Sequence, residues 1–231
     1  MIQRTCTTIM CSTLIVFNLF SQDFIVSGAM KNVMRNGQLH GVIDLDTIKN
    51  KTHLYGLGPI EFLAGEITIV NGKIFTSKIS PMGEMTVSED SKVKAPFFVA
   101  AYVNRWKKIV LPGTVKSIQD LDTFFLNQNF SRSPFVFRIL TSVTEAGFHV
   151  VNLPPGTKIA SGEDAHKGKR SFTITDSPVE MIGFFSREHK GVFTHHDSNL
   201  HVHVMTPDKA QMGHLDFATF TPNTVELWVS D

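Results

Sequence analysis

The sequence LHVHV at residues 200–204, followed by GHLDF at residues 213–217, places three histidines where two neighbouring β-strands can present them together. Side chains two positions apart in a strand share a face, so His201 and His203 point one way and the valine between them points the other way. The intervening segment TPDKAQ, residues 206–211, is rich in turn-forming residues and predicts that the chain reverses there. His214 on the returning strand can then complete a group of three imidazoles.

Three converging imidazoles predict a metal site of the catalytic kind. Zn²⁺ bound by three protein nitrogens keeps a position free for water or substrate, whereas structural zinc sites are closed by four protein ligands. Manganese, iron or cobalt also suit such a site, so the pattern predicts Zn²⁺ or another divalent cation. Clustering by chance is the alternative, because the chain has ten histidines. His195 and His196 lie in a loop-like stretch, and we interpret them as surface residues or as residues that support the ligands from outside.

Length, composition and charge restrict the class of protein. The chain has 231 residues, of which 42% are hydrophobic, and this is enough for a core in one domain or in two small ones. Its 22 basic and 21 acidic residues nearly balance, and they form no long charged run. Nucleic acid and membrane surfaces are therefore poor candidates as partners, and a small-molecule substrate is favoured.

The N-terminal segment differs from the rest of the chain. Arg4 precedes an uncharged stretch at residues 5–21 whose apolar centre is short for a membrane span. This pattern predicts a signal peptide over residues 1–21 and a mature protein exported to the periplasm or the medium; a buried N-terminal element is the alternative. Cys6 and Cys11 both fall in this segment, so the mature protein would contain no cysteine.

The remainder of the chain is dominated by strand patterns and has few helices. We predict an α/β (α+β) fold that is β-rich, with an N-terminal mixed-sheet domain over residues 22–153 and a barrel-like, metal-binding C-terminal domain over residues 154–231. The boundary falls at a polar stretch rich in proline and glycine that begins at Pro154. The dipeptide Asn71-Gly72 predicts a hairpin turn between two of the strands.

Two short helices are predicted within this β-rich chain. Apolar residues from Val26 to Met34 recur at helical spacing, and Gly37 provides a stop. Ser117, with Asp120 three residues later, predicts the start of the second helix.

Two charged residues interrupt strand patterns. Arg138 lies in the apolar run FVFRIL, residues 135–140, where an unpaired guanidinium would be costly to bury. It should therefore face a carboxylate or an anionic ligand, or else reach water from an edge strand. Glu66 opens a strand directly after Gly65, and taken alone it would be an ordinary surface glutamate.

These segments together resemble the α-acetolactate decarboxylase family. The histidine segment is similar to the metal segment of that family, with the same interval between the second and third histidines. Three other segments are similar in the same order. They are Leu57-Gly58 through Gly65-Glu66 to Asn71-Gly72, which resembles a glycine-rich segment with an essential glutamate; Phe135-Val136-Phe137-Arg138, which resembles a strand with an active-site arginine; and Ile182-Gly183-Phe184. The resemblance runs from about Val26 to Asp231.

The resemblance implies a two-domain homodimer with a shared sheet, a zinc ion between the domains, and conversion of 2-acetolactate to acetoin and carbon dioxide. It implies His201, His203 and His214 as metal ligands, with Glu66 and Arg138 as catalytic residues. Glu66 would shuttle a proton, and Arg138 would orient the substrate carboxylate or share the enediolate charge. The family also has a glutamate on a C-terminal tail, which we match to no residue here.

Two alternatives to this function stay open. The first is a different metal-dependent decarboxylase of β-keto acids, or a hydrolase, on the same scaffold. The second is a non-catalytic exported protein that binds metal.

Overall fold

The computed structural model describes residues 24–128, 130, 133–221 and 223–231. The predicted signal peptide, residues 1–21 with both cysteines, lies outside the described residues. Within the described ranges, no helix is both long enough and apolar enough to cross a membrane.

Strands make up most of the described chain. They are β1 Phe24–Gly28, β2 Ile43–Asp44, β3 Leu54–Pro59, β4 Glu66–Val70, β5 Lys73–Ile79, β6 Met85–Glu89, β7 Lys94–Ala95, β8 Phe97–Tyr102, β9 Trp106–Ile109, β10 Phe135–Val150, β11 Arg170–Phe185, β12 Leu200–Met205, β13 Met212–Phe220 and β14 Glu226–Ser230. The helices are α1 Met30–Asn36, α2 Ile118–Asn127 and α3 Gly162–Ala165, with short 3-10 turns at Leu45–Thr47 and Glu61–Leu63. The predicted β-rich class with few helices is confirmed.

Two six-stranded sheets organise the described part of the chain. The first has the strand order β1-β8-β3-β4-β5-β6, and the second has the order β11-β12-β13-β10-β14-β9. A further pairing of β10 with β11 closes the second sheet on itself, which gives the predicted barrel-like form. The first sheet was predicted to be mixed, but the pairings between its described strands are antiparallel. The physical reason is that consecutive strands from β3 to β6 are joined by short connections, and these reverse the chain.

The sheets divide the chain at a different place from the predicted domain boundary. Strands β9 and β10 precede residue 153, yet they pair with strands that follow it. The cause is the long pairing of β10 with β11, which runs from Phe135 opposite Phe185 to Val150 opposite Arg170. The polar stretch that begins at Pro154 is thus the connection within this pair. The division into domains at residue 153 stays a prediction, because sheet membership alone does not define folding units.

The local signals for the helices were partly right. Ser117 caps α2 as predicted, because its Oγ accepts a hydrogen bond from the Asp120 N–H at 3.1 Å. Gly37 ends α1 with a left-handed φ of 64°. The helix predicted from Val26 onwards is wrong in its first half, because Val26 pairs with Val99 in the first sheet. Edge pairing overrides the helical spacing of the apolar residues there.

Strand β12 separates two layers of the molecule. Val202 and Val204 point into the core formed by the second sheet and α2, where Phe125 is fully buried. Because side chains alternate along a strand, His201 and His203 face the other way, toward the first sheet. The fold therefore places these two imidazoles between the sheets and away from bulk water.

Candidate metal centre

The three predicted ligands converge. His203 on β12 lies opposite His214 on β13 in the strand register, and the centroids of the three rings lie 5.0 to 5.5 Å from one another. One nitrogen from each ring lies within 4.8 Å of the corresponding nitrogens of the other two. The exposed fractions of His201, His203 and His214 are 2%, 1% and 8%. This arrangement can hold one metal ion.

Unpaired nitrogen atoms support a metal at this place. His201 Nδ1 and His203 Nε2 are buried and have no hydrogen-bond partner among the described residues. An unpaired buried polar atom costs about 1–3 kcal/mol, so native proteins rarely leave two of them side by side. A cation that accepts both lone pairs would satisfy both atoms. The residues present therefore fit a bound divalent metal.

Burial also keeps the three imidazoles in the form that binds metal. Desolvation lowers the pKa of His201 to about 3, and it lowers the pKa of His203 and of His214 well below the ordinary value. Neighbouring histidines act in the same direction, because protonated rings repel one another. A neutral imidazole has a free lone pair, so the ligands need not lose protons before they bind a cation at neutral pH.

The first sheet orients one of the ligands. The Oγ1 of Thr68 on β4 lies 2.8 Å from His203 Nδ1, and both residues are buried. When Nδ1–H donates to this hydroxyl oxygen, the lone pair of the ring lies on Nε2, which faces the other histidines. Outer contacts of this kind fix the tautomer and the ring orientation of metal-binding histidines.

Glu66 reaches the site from the same strand. Its Oε2 lies 3.8 Å from His203 Nε2, and its Oε1 accepts a hydrogen bond from the Val151 N–H at 3.2 Å. The side chain is buried, and this burial raises the pKa of Glu66 to about 8, although the hydrogen bond from Val151 opposes the rise. The carboxyl group of the metal-free site therefore carries a proton at neutral pH. It is not the surface glutamate that its position in the sequence alone suggested.

Local sequence explains how Glu66 is placed. Gly65 has a φ of 147°, and a Cβ at this position would lie 2.3 Å from the carbonyl oxygen of Ser77 on β5. Only glycine allows so close an approach as the chain enters β4. The predicted turn at Asn71-Gly72 is confirmed, because both residues have positive φ, 48° and 84°. This hairpin holds both Glu66 and Thr68 against the histidines.

Arg138 does not join the group. Its Nε donates to Glu180 Oε1 at 2.7 Å, and a third of its side chain is exposed. Ile182 lies between Arg138 and His203 in the strand ladder. Among the described residues that line the cavities near the histidines, Arg138 is absent. The carboxylate partner that we expected is present, but this placement argues against the predicted role of Arg138 in binding substrate.

Two histidines that we did not predict as metal ligands are in contact with His214. His149 on β10 lies opposite it in the register, with the ring centroids 4.9 Å apart, and His149 Nδ1 lies 2.8 Å from Asp216 Oδ1. His195 Nε2 lies 3.0 Å from His214 Nε2. His195 thus contacts His214, so its role in supporting a ligand stays a prediction, while His196 is exposed. The sequence signal that could have identified His149 is that this polar residue lies between the apolar residues Phe148 and Val150.

Two cavities meet at this group of histidines. The smaller has a volume of about 20 Å³, and its lining includes Glu66, His149, His195, His201 and His214. This volume accommodates about one water molecule or a single ion. The larger is a cleft of about 400 Å³ beside α2, and it also contacts His195 and His214. A small molecule in the cleft would therefore lie next to the ion-sized cavity.

Comparison with known proteins identifies a family model and solved structures that are similar to this chain. A family model described as alpha-acetolactate decarboxylase matches residues 26–230. The structure of alpha-acetolactate decarboxylase from Bacillus subtilis strain 168 aligns with a TM-score of 0.70 and 16% identity, covering 90% of this chain and 84% of that one. The acetolactate decarboxylase from Bacillus subtilis subspecies spizizenii gives a TM-score of 0.71 at 15% identity, with coverage of 90% and 85%.

A third structure has the same fold. It is a Staphylococcus aureus protein of unknown function, described as similar to alpha-acetolactate decarboxylase, with a TM-score of 0.70, 15% identity and coverage of 90% and 84%. At such identities the likeness between structures establishes the fold alone. A search of curated proteins found no match.

Proposed function

The chain belongs to the alpha-acetolactate decarboxylase family, and on that premise we propose that it converts 2-acetolactate to acetoin and carbon dioxide. A divalent cation, Zn²⁺ in our proposal, would be held by His201, His203 and His214. The observation that carries the proposal is the position of the buried carboxyl of Glu66, 3.8 Å from the unpaired Nε2 of His203. A proton donor would thus lie directly beside the proposed metal site.

The reaction develops negative charge that must be stabilised. When carbon dioxide leaves, the electrons of the broken carbon–carbon bond remain on the carbon that carried the carboxylate, and they spread onto the adjacent ketone oxygen. A divalent cation supplies Lewis acidity that stabilises such charge. The three imidazoles are uncharged at neutral pH, so each ring keeps one nitrogen lone pair that is available for that cation. The buried surroundings exclude water and make the electrostatic interactions stronger.

Glu66 is placed to deliver the proton that completes the product. The Val151 N–H holds Oε1, and Oε2 is directed toward His203. Its pKa of about 8 in the metal-free site leaves the carboxyl protonated at neutral pH. A nearby cation lowers the pKa of a carboxyl, which brings Glu66 toward the range where it can give up and regain a proton. The proton moves from the carboxyl to the enediolate carbon, and solvent restores it afterwards.

The cleft beside α2 would provide the route by which the substrate reaches the proposed metal site. Its volume of about 400 Å³ is within the range of small-molecule pockets. Since His195 and His214 line both cavities, a substrate bound in the cleft can direct its oxygen atoms toward the ion-sized cavity. This geometry favours a small, oxygen-rich substrate.

An assay of acetoin and carbon dioxide with metal-depleted and Zn²⁺-loaded protein tests the proposal. The loaded protein should produce both from 2-acetolactate, whereas the depleted protein and the His203→Ala variant should not. Equal activity with and without metal would contradict the mechanism. Turnover only with other β-keto acids would support the first alternative, and metal binding without any turnover would support the non-catalytic one.

We further propose that the protein is exported and forms a homodimer. Export rests on the signal-like residues 1–21, and the dimer rests on the family resemblance. The mass of the mature N-terminus and the molar mass in solution, measured by light scattering, test the two proposals separately.

A further inference from the structure

His149 lies beside the three clustered histidines without belonging to them. His203 lies opposite His214 in the pairing of β12 with β13, and His214 lies opposite His149 in the pairing of β13 with β10. Residues directly opposite one another in antiparallel strands share a face of the sheet. The set of ligand nitrogens that could hold one metal ion contains His201, His203 and His214 and does not include His149. His149 is therefore adjacent to the candidate metal centre and is available for another role.

A bulge in β13 brings a carboxylate to His149. The register of β13 with β10 passes from Leu215 directly to Phe217 and skips Asp216. A β-bulge of this kind re-aims a side chain, and such bulges are common next to active sites. Asp216 Oδ1 lies 2.8 Å from His149 Nδ1. The irregularity in the strand thus places Asp216 where it holds the imidazole of His149.

The contact with Asp216 determines what the other ring nitrogen of His149 can do. An aspartate carboxylate only accepts hydrogen bonds, so in a neutral ring the proton lies on Nδ1 and the lone pair lies on Nε2. Within the described part of the chain, Nε2 forms no hydrogen bond, and it is not among the fully enclosed atoms without a partner. It is therefore accessible from a cavity. The ion-sized cavity is lined by both His149 and Glu66, so an unused acceptor lies next to the proposed proton donor.

We propose that His149 binds the hydroxyl group of the substrate and that Asp216 is the residue that positions it. The inference rests on the proposed function and assigns a residue to the group that distinguishes 2-acetolactate from simple β-keto acids. This substrate carries a carboxylate, a ketone and a hydroxyl group. At neutral pH only the hydroxyl can donate a hydrogen bond. The Nε2 lone pair is therefore complementary to the hydroxyl and not to the other two groups.

The chemistry requires the hydroxyl-binding residue and the proton donor to lie side by side. The carbon that loses carbon dioxide and then receives the proton is the same carbon that bears the hydroxyl. Val151, two residues after His149, donates the backbone hydrogen bond that holds Glu66. The end of β10 thus brings the two functions together. Asp216 lines the 400 Å³ cleft as well, so the pair connects the proposed route of entry with the ion-sized cavity.

A comparison of two substrates tests the inference. 2-Methylacetoacetate has the carbon skeleton of 2-acetolactate, with hydrogen in place of the hydroxyl. Wild type, His149→Leu, His149→Gln, Asp216→Asn and the control His196→Leu are loaded with Zn²⁺, and kcat/KM is measured for both compounds above their spontaneous decarboxylation. The selectivity, defined as the ratio of the two values, does not depend on the fraction of protein that is folded and loaded. A merely structural role of His149 would therefore leave the selectivity unchanged.

The selectivity of His149→Leu should be lower than that of wild type by about tenfold or more, because a site that hydrogen-bonds a substrate hydroxyl discriminates strongly against an analogue without it. His149→Gln should restore part of the selectivity, since its amide oxygen can accept the same hydrogen bond. Asp216→Asn should lower the selectivity by less, because an amide can donate to Nδ1 and so move the ring proton to Nε2. His196→Leu, at an exposed position, should match wild type.

Binding of two uncharged ketones gives a measurement without turnover. Acetoin keeps the hydroxyl and 2-butanone lacks it, and NMR titration of the Zn²⁺-loaded proteins gives both dissociation constants. Wild type should bind acetoin more tightly than 2-butanone. His149→Leu should lose this difference, whereas His196→Leu should keep it.

The outcomes separate this inference from the proposed function. If wild type converts 2-acetolactate and every variant keeps the wild-type selectivity, His149 does not recognise the hydroxyl and the inference is wrong, while the proposed function stands. If wild type converts neither compound, the proposed function fails and the inference fails with it. Melting temperatures identify any variant that is unfolded. If His149→Leu is unfolded, Asp216→Asn provides the comparison, and an unchanged selectivity in that variant would overturn the inference.

Discussion

Thr68 Oγ1 and His203 Nδ1 lie 2.8 Å apart although the two residues belong to different sheets. This contact fixes which nitrogen of His203 faces the candidate metal site. Thr68→Val preserves the shape of the side chain but removes the hydroxyl, so the ring loses the partner that orients it. We expect Zn²⁺ affinity to fall roughly 10–100-fold, as measured by chelator competition.

Thr68→Ser provides the matched control for this prediction. It keeps the hydroxyl and loses only a methyl group, so it should bind Zn²⁺ nearly as tightly as wild type. Equal affinities for the valine and serine variants would mean that the hydroxyl does not orient His203.

Glu66→Gln separates metal binding from proton transfer. The amide keeps the size of the side chain, but it cannot supply a proton. We expect the Zn²⁺ content of this variant to remain near that of wild type and its kcat for acetoin formation to fall about 10²–10⁴-fold, the usual contribution of a general acid or base. Metal analysis and a steady-state assay give the two values. Glu84→Gln, at an exposed position, is the control, and retained turnover in Glu66→Gln would exclude the proton-transfer role.

The raised pKa of Glu66 predicts how the stability of the metal-free protein depends on pH. The folded pKa of Glu66, about 8, lies above its unfolded value of 4.5 because burial disfavours the carboxylate. Between these values the folded state holds a proton that the unfolded state has lost. The contribution of Glu66 to stability is therefore fully present below pH 4.5, and it is lost as the pH rises toward 8.

Thermal melts of metal-free wild type and Glu66→Gln across this pH range provide the measurement. The melting temperature of wild type should fall relative to that of the variant as the pH rises from about 5 to 8. The change should reach about 10 °C, because the difference in pKa is worth about 3–4 kcal/mol over this range and 1 kcal/mol corresponds to about 2–4 °C in a chain of this size. Parallel curves for the two proteins would show that the carboxyl is not buried as described.

The sequence was sufficient to bring the three candidate ligands together because their placement depends on local rules. Alternation along β12 puts His201 and His203 on one face, and the turn that follows returns His214 beside them. The cap of α2 by Ser117 and the turn at Asn71-Gly72 are similarly local. Each of these features is determined by residues within a few positions of one another.

Features that depend on long-range register could not be predicted in this way. His149 reaches His214 only because β10 pairs with β13, about 65 residues further along the chain, and no periodicity encodes that pairing. His195 approaches His214 through the path of a loop. The burial of Glu66 comes from packing of the first sheet against the second. The stretch at Pro154 looked like a boundary, since a long connection within one pair of strands has the same composition as a linker.

The last prediction concerns Arg138 and Glu180. A guanidinium that is paired with Glu180 is less available to bind a substrate carboxylate. Glu180 is only 11% exposed, and it also lies 3.5 Å from Lys209 Nζ. Removing the arginine leaves a largely buried carboxylate with a weaker partner, which should destabilise the fold. We expect a double-mutant cycle of Arg138→Met and Glu180→Gln to give a coupling energy of about 0.5–3 kcal/mol in urea unfolding.

The kinetics of the conservative variant Arg138→Lys distinguish an arginine that stabilises the fold from one that binds the substrate carboxylate. A lysine can keep an ion pair with Glu180, so if the guanidinium serves the fold, the KM and kcat for 2-acetolactate should stay close to wild-type values. If Arg138 instead holds the substrate carboxylate, its planar fork cannot be replaced by an ammonium group. Turnover would then fall while stability stayed unchanged, and the role implied by the family resemblance would be restored. Activity and unfolding must therefore be measured on the same preparations, because only a loss of turnover at constant stability separates substrate binding from support of the fold.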